Sequence, residues 1–385
     1  MKIVLAFDSF KESLSSLEAA NFFSKGFQRI FPDSLVETLL LSDGGEGFVT
    51  ALTHQNGQIH YQEVHGPLDT TVQACYGILS EKNVAVIEMA SASGLELVPA
   101  AQRNPMKTTT YGTGELIHAA MENRSEHIYI GIGGSATVDG GTGMAQALGV
   151  HFFNKEGQRF TNNMTGGDLI NIRRISTQNL SPLVQQTQFT VACDVNNPWL
   201  GPQGAAFVFG PQKGATPEMV QELDAGLKNL AGVIKRDLGV DVADYPGGGA
   251  AGGLGGMLYA LLQAEMRSGI EIVLEQIGFA DCIKNSDLIV TGEGRVDSQT
   301  VGGKTISGVV KAARKYKVPV LVIGGSIVEQ DLSILYESGI DATLSLVSTP
   351  MNLTEAIENG ASLMTQTGER VGRLIRCFQP CFASI

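Results

Sequence analysis

The chain has few cysteines, no long apolar run and no basic stripe, and each absence narrows what it can be. Its five cysteines, Cys75, Cys193, Cys282, Cys377 and Cys381, include no Cys-x-x-Cys pair. Their odd number argues against a disulfide framework and for the reducing cytoplasm. No apolar stretch approaches the ~18 residues of a membrane span, and the opening MKIVLAFDSFKE turns charged at Asp8, too early for a signal peptide. The expectation is a soluble, unprocessed cytoplasmic protein. With a net charge of −12 and no basic stripe along the chain, neither nucleic acid nor an acidic membrane is an expected partner. The six histidines show no metal-ligand spacing, and neither His65 nor His118 belongs to a recognisable Ser-His-Asp arrangement. No internal repeat or low-complexity tract is present.

Glycine, by contrast, is plentiful at 47 residues and gathers in short clusters, the pattern of sharp turns and of backbone that approaches a ligand. A length of 385 residues exceeds the usual single core, so two domains are expected. KIVLAF (2–7) reads as a buried strand, followed by a helix that Ser15 and Glu18 start as a capping box. Strand and helix alternate again from DLIVTG (287–292) through VPVLVIGG (318–325) and ATLSLV (342–347), which implies a parallel sheet covered on both faces. Between about 70 and 285 the pattern changes to consecutive strand-like runs, TVQACYGIL, NVAVIEMA, HIYIGI, QFTVACDV and AAFVFG, among glycine-rich loops. This reads as a second α/β domain over 71–285, inserted into a first one formed by 1–70 and 286–385.

Several stretches carry chemistry. GIGGSATVDGG (131–141) follows an apolar strand and admits two functional readings. GIGGSA fits a dinucleotide fingerprint with Glu156 as the ribose acid, whereas the further hydroxyls and glycines, including Gly133, Gly134, Ser135, Thr137, Gly140 and Gly141, suit a broad phosphate cradle. TGEGRVDSQTVGGKT (291–305) ends in the Gly-Lys-Thr of a P-loop, but Ser298 stands where Walker A needs glycine. What remains there is Glu293, Arg295 and Asp297 at a strand's carboxyl end, where open parallel sheets place ligands, with Lys304 at the following helix start. DGGEG leaves Asp43 and Glu46 at another strand end, and DSFKES sets Ser9 and Lys11 beyond the first strand. CDVNNP places Asp194 after a strand, and GPQKGA sets Lys213 between glycines. The run GGGAAGGLGG (247–256) implies close backbone packing or nucleotide approach. Cys75 and Cys193, in apolar strands, read as inert core thiols.

Taken together and in order, DSFKESLS, SDGGEG, GIGGSATVDGG, CDVNNPWLGPQGAAFVFGPQKGA, GAAGGLGG and TGEGRVDSQTVGGK closely resemble the glycerate kinase family of the bacterial glyoxylate and sugar-acid pathways, over residue 1 to about 325. Departures are few: Phe7, Glu12 and Val138 stand where proline, glycine and asparagine are common. The resemblance implies a flavodoxin-like domain built from both chain ends, an inserted α/β domain, and an active site in the cleft between them. It implies Mg²⁺ and ATP-dependent phosphorylation of D-glycerate to 2-phosphoglycerate or 3-phosphoglycerate. On that reading Asp194 and Asp297 are metal ligands or general base, with Glu293 assisting as a metal ligand. Lys11, Lys213, Arg295 and Lys304 are cations for the substrate carboxylate or the transferred phosphate, and the backbone of 133–141 cradles an anion. An NAD-dependent oxidoreductase using GIGGSA and a non-catalytic small-anion binder stay as alternatives. Partners are small molecules, and a homo-oligomer is compatible with the sequence.

Overall fold

The structure, a computed structural model, describes residues 1–10, 12–80, 83–301 and 305–382. Its strands are β1 (Lys2–Phe7), β2 (Leu35–Thr38), β3 (Gly57–His65), β4 (Thr71–Leu79), β5 (Val84–Glu88), β6 (His127–Gly131), β7 (His151–Phe153), β8 (Arg174–Ser176), β9 (Gln188–Ala192), β10 (Glu265–Arg267), β11 (Leu288–Val296), β12 (Val320–Ile327) and β13 (Ala342–Ser345). The chain divides into two compact units, one of Met1–Ser42 with Ile270–Ile385 and one of Asp43–Gly269.

The first unit holds a five-stranded, wholly parallel sheet in the order β13-β12-β11-β1-β2. This is the doubly wound, flavodoxin-like order. A strand inside such a sheet is covered on both faces and must be apolar throughout, as Ile3, Val4, Leu5 and Ala6 are, each fully buried. The first helix, Ser16–Phe27, starts where the capping box was expected, with the Ser15 hydroxyl accepting from Glu18 N and the Glu18 carboxylate accepting from Ser15 N. Its Phe23 and Phe27 continue an aromatic row from Phe7 to Phe31, with ring centroids 5.4–6.1 Å apart. Two glycines let this helix lie directly against the helix Gly360–Phe382. A Cβ on Gly26 would meet Thr365 O at 1.8 Å, and one on Gly368 would meet Phe23 O at 2.1 Å.

The second unit is built on a six-stranded sheet, β10-β9-β6-β5-β4-β3, parallel through β5 and antiparallel thereafter. The small hairpin β7–β8 stands as a separate sheet. Its longest helix, Pro217–Leu238, begins at a Thr216 cap with proline in its first turn and ends at Gly239 in the left-handed region. Leu223, Leu227 and Leu230 from this helix and Trp199 are buried in the same core.

Two sequence readings are corrected here. The units join at 42/43 and 269/270, not near 70 and 285, because β3 pairs with β4 along its whole length and therefore belongs to the second sheet. AAFVFG is not a strand: Ala205–Phe209 is a helical turn with Ala205 and Ala206 buried and Phe207 and Val208 exposed. A short apolar run carries no period long enough to tell the two apart.

Gly26→Ala should lower stability by about 1–3 kcal/mol, since the added methyl has backbone in its way. Gly232→Ala, exposed in the helix Pro217–Leu238 with nothing within 4 Å, should raise it by about 0.5–1 kcal/mol. Thermal melting of both variants checks the pair.

Candidate active site

In the second unit three parallel strands end side by side, Glu88 closing β5, Gly131 closing β6 and Ala192 at the end of β9. The carboxyl edge of an open parallel sheet is where loops diverge and leave room for a ligand. The loop after β6 lies on the loop 43–45, backbone against backbone. Gly133 donates its N–H to Gly44 O at 3.2 Å, and Cβ atoms on Gly131 and Gly133 would come within 2.5 Å of Gly44 O and 2.7 Å of Gly45 Cα. Only glycine permits this approach. Gly44 and Gly134 also adopt φ of 95° and 75°, which side chains disfavour.

A pocket of about 360 Å³ opens at this edge. Gly133, Gly134 and Ser135 form one wall, Asp43, Asp194 and Lys213 also line it, and Leu95, Val195 and Phe209 supply apolar surface. Asp43 and Asp194 are solvent-facing. Asp194 accepts from Gly269 N at 3.2 Å, and a Cβ on Gly269 would meet Asp43 O at 1.9 Å, so that glycine ties the two acidic segments together.

Lys213 is 1% exposed and donates from Nζ to the Ser135 hydroxyl at 2.6 Å and to Thr137 O at 2.7 Å. Burial pushes its pKa down to about 7, with the Asp139 charge opposing the fall. Asp139 is fully buried and holds the loop from behind, accepting from Thr110 N at 2.9 Å, Thr110 Oγ1 at 2.7 Å, Gly141 N at 3.1 Å and Gly143 N at 3.2 Å. Burial raises its carboxyl pKa, and these hydrogen bonds oppose the rise. Thr137, Gly140 and Gly141 lie behind the wall rather than in the pocket lining. The glycine run packs there too, since a Cβ on Gly252 would meet Thr137 O at 2.0 Å.

Of the residues singled out in sequence, the second unit thus gathers Asp43, Gly133, Gly134, Ser135, Asp194 and Lys213 around one pocket, with exposed Glu46 outside its lining. The first unit gathers others at the carboxyl ends of β1 and β11. Glu293 accepts from Thr300 Oγ1 at 2.7 Å, and Asp297 accepts from Arg295 Nε at 3.1 Å. Ser9 N donates to Asp8 Oδ1 at 2.6 Å, and Asp8 Oδ2 accepts from Thr305 Oγ1 at 2.7 Å. Lys11 and Lys304 lie outside the described residues. No cluster of three or more His, Cys, Asp or Glu able to hold a metal occurs among the described residues.

Sequence reasoning passed over Asp139 as an anchor because nothing local marks a carboxylate as buried. It also passed over Glu88, whose carboxyl burial pushes up while the N–H groups of Gly47, Phe48 and Val49 hold it down. Cys193 is half-buried, packing against the core as its strand position suggested while also lining the pocket. Its thiol donates to Val195 O at 3.3 Å, and burial raises its pKa. Glu156 cannot serve the dinucleotide reading, because it is exposed in the turn after β7, a strand outside the main sheet.

Fold and site together define an α/β protein with a bare glycine loop, a buried lysine and exposed carboxylates at the carboxyl edge of a parallel sheet. The chain matches the model of the glycerate kinase family over residues 3–376. It is 47% identical over 370 residues to a glycerate kinase of Halalkalibacterium halodurans, covering 96% of this chain and 97% of the relative. A glycerate 2-kinase of Escherichia coli is 47% identical over 357 residues, covering 92% and 93%. A crystal structure from Salmonella typhimurium, assigned as a glycerate kinase 2, superposes with a TM-score of 0.87 at 47% identity, covering 99% of each chain. The chain belongs to the glycerate kinase family.

Asp139→Asn should cost about 2 kcal/mol, because an amide cannot accept all four donors, whereas Asp194→Asn at the exposed rim should change stability by less than about 0.5 kcal/mol. Urea titration separates them. Lys213 also links stability to pH: between its folded value of about 7 and its ordinary 10.5 the unfolded chain holds the extra proton. Its contribution to stability therefore climbs as pH rises from about 7 towards 10.5, and Lys213→Met should flatten that part of the profile.

Proposed function

We propose that this chain transfers the γ-phosphoryl group of ATP to a hydroxyl of D-glycerate, giving phosphoglycerate and ADP in the cytoplasm. The observation that carries the reading is the conjunction in one pocket of a buried lysine, bare glycine backbone and two carboxylates. Lysine and backbone amides suit a phosphate or carboxylate oxygen, but two carboxylates lining the same pocket would repel an anion unless a divalent cation lay between them. A plain anion-binding protein has no use for them; phosphoryl transfer, which rests on positioning and charge neutralisation, does.

Mg²⁺ fits such a donor set, because it takes one or two protein carboxylates and completes its shell with phosphate oxygens and water. Asp194 and Asp43 would hold it, and the ion would neutralise charge on the phosphates. Gly134 and Ser135 would orient the anion with main-chain N–H groups, and Gly133, whose N–H is held by Gly44 O, keeps the wall bare. Lys213, already fixed by Ser135 and Thr137 O, has a third N–H for an incoming oxygen while protonated. Asp194 is the leading candidate for metal ligand or general base. Asp297, with Glu293 and Arg295, is the corresponding candidate set in the first unit. The E. coli relative's name, glycerate 2-kinase, favours phosphorylation at the 2-hydroxyl.

ADP release from ATP and D-glycerate should require Mg²⁺ and stop in excess EDTA, and phosphorus NMR should show 2-phosphoglycerate. Asp194→Asn and Asp297→Asn should each lower kcat by about 10²-fold or more, and Asp33→Asn should leave it unchanged. Undiminished turnover in EDTA overturns the metal assignment, and hydride transfer from NADH without ADP formation overturns the kinase.

A further inference from the structure

The sheet edges of this protein are unequal. β2 and β13, which bound the first sheet, have four residues each, and β10, at one edge of the second, has three. Short edge strands are a usual protection against pairing with another chain. β3, at the opposite edge, runs for nine residues, GQIHYQEVH, with neither proline nor lysine. Its register with β4 is unbroken from Gly57↔Leu79 to His65↔Thr71, so no bulge bends it away. Among the described residues this is the one long edge. Its last residue is covered, His65 donating its N–H to Glu115 Oε2 at 2.7 Å, and Glu63 O accepts from Gln62 Nε2 at 3.3 Å on the exposed surface. The stretch before His65 carries no proline, lysine or bulge.

The hydrogen-bonding phase shows which groups it offers. Ser80 N donates to Asn56 O, and Gly66 N to Thr70 O, at the two ends of the same ladder. In an antiparallel pair, residues alternate between bonding inward and facing away. The even-numbered residues of β3 therefore bond to β4, and Ile59, Tyr61 and Glu63 turn their N–H and C=O groups outward. Their side chains are exposed as well, Ile59 by 40% and Tyr61 by 72%.

We propose that β3 pairs antiparallel with β3 of a second copy of this chain about a twofold axis at Tyr61, joining the two six-stranded sheets into one. Tyr61 then exchanges both main-chain hydrogen bonds with its counterpart, and Ile59 does so with Glu63 of the second copy. Side chains meet Tyr61 to Tyr61, Ile59 to Glu63 and His60 to Gln62, so no like charges stand opposite each other. A symmetric pairing centred on Gln62 would also match outward-facing residues, but it would set Tyr61 against Glu63 of the second copy, where Tyr61→Lys would be tolerated. The edge is thus complementary to itself in this register, whether or not the kinase reading holds.

Sedimentation velocity of the full chain tests this. The expected species has twice the 40.8 kDa chain mass. Tyr61→Lys sets two ammonium groups face to face and should return the chain to a monomer, while Ile59→Lys faces Glu63 of the second copy and should leave the dimer intact. Circular dichroism melting confirms that both variants fold. A wild-type monomer at all concentrations overturns the proposal, as does a dimer that survives Tyr61→Lys. Dissociation by both substitutions alike overturns the register.

Discussion

The second unit depends on one buried carboxylate. Asp139 has no solvent, so its oxygens must be satisfied from within, and they draw Thr110, Gly141 and Gly143 to one point. Thr110 precedes the helix Tyr111–Glu122, and Gly141 precedes the helix Thr142–Ala147. A single side chain thereby fixes two helix starts and the back of the glycine loop. Lys213, held by Ser135 and Thr137 O from the same loop, brings a cation into the same interior. The Asp139 charge opposes the fall in the Lys213 pKa, and the loop between the two residues has little freedom left.

Glycine makes that arrangement geometrically possible. The loop 131–133 rests on 44–45 without side chains between, and Gly252 and Gly253 close on Thr137 and Gly140 from another direction. Backbone packed this closely presents main-chain N–H groups at the pocket wall instead of side chains. Close packing and a bare pocket wall here have one cause, the removal of Cβ atoms where segments cross.

The first unit solves a different problem with a fully parallel sheet. Its inner strand β1 is apolar and buried on both faces, and the carboxylates gather past the strand ends. Asp8 after β1 and Glu293 and Asp297 at the end of β11 are held there by the hydroxyls and amides of Ser9, Thr300 and Thr305. Both sheets thus place their carboxylates at the carboxyl edge.

Much of this was legible in the sequence because it depends on local order. The buried run KIVLAF, the Ser15–Glu18 cap and the strand-helix alternation of the chain's later part follow from periodicity and residue type, and the ordered motifs carried the family. The joints at 42/43 and 269/270 were not legible, since they depend on which strand β3 joins. Neither was the helical turn of AAFVFG, too short for its period to show. Glu156 had the right spacing for a ribose acid but lies beyond a strand that pairs elsewhere. The identity of Lys213 as a cation was written in the chain. Its burial, its lowered pKa and its grip on Ser135, a residue 78 positions away, were decided by tertiary contact, because a side chain's solvent and partners come from segments that sequence spacing does not bring together.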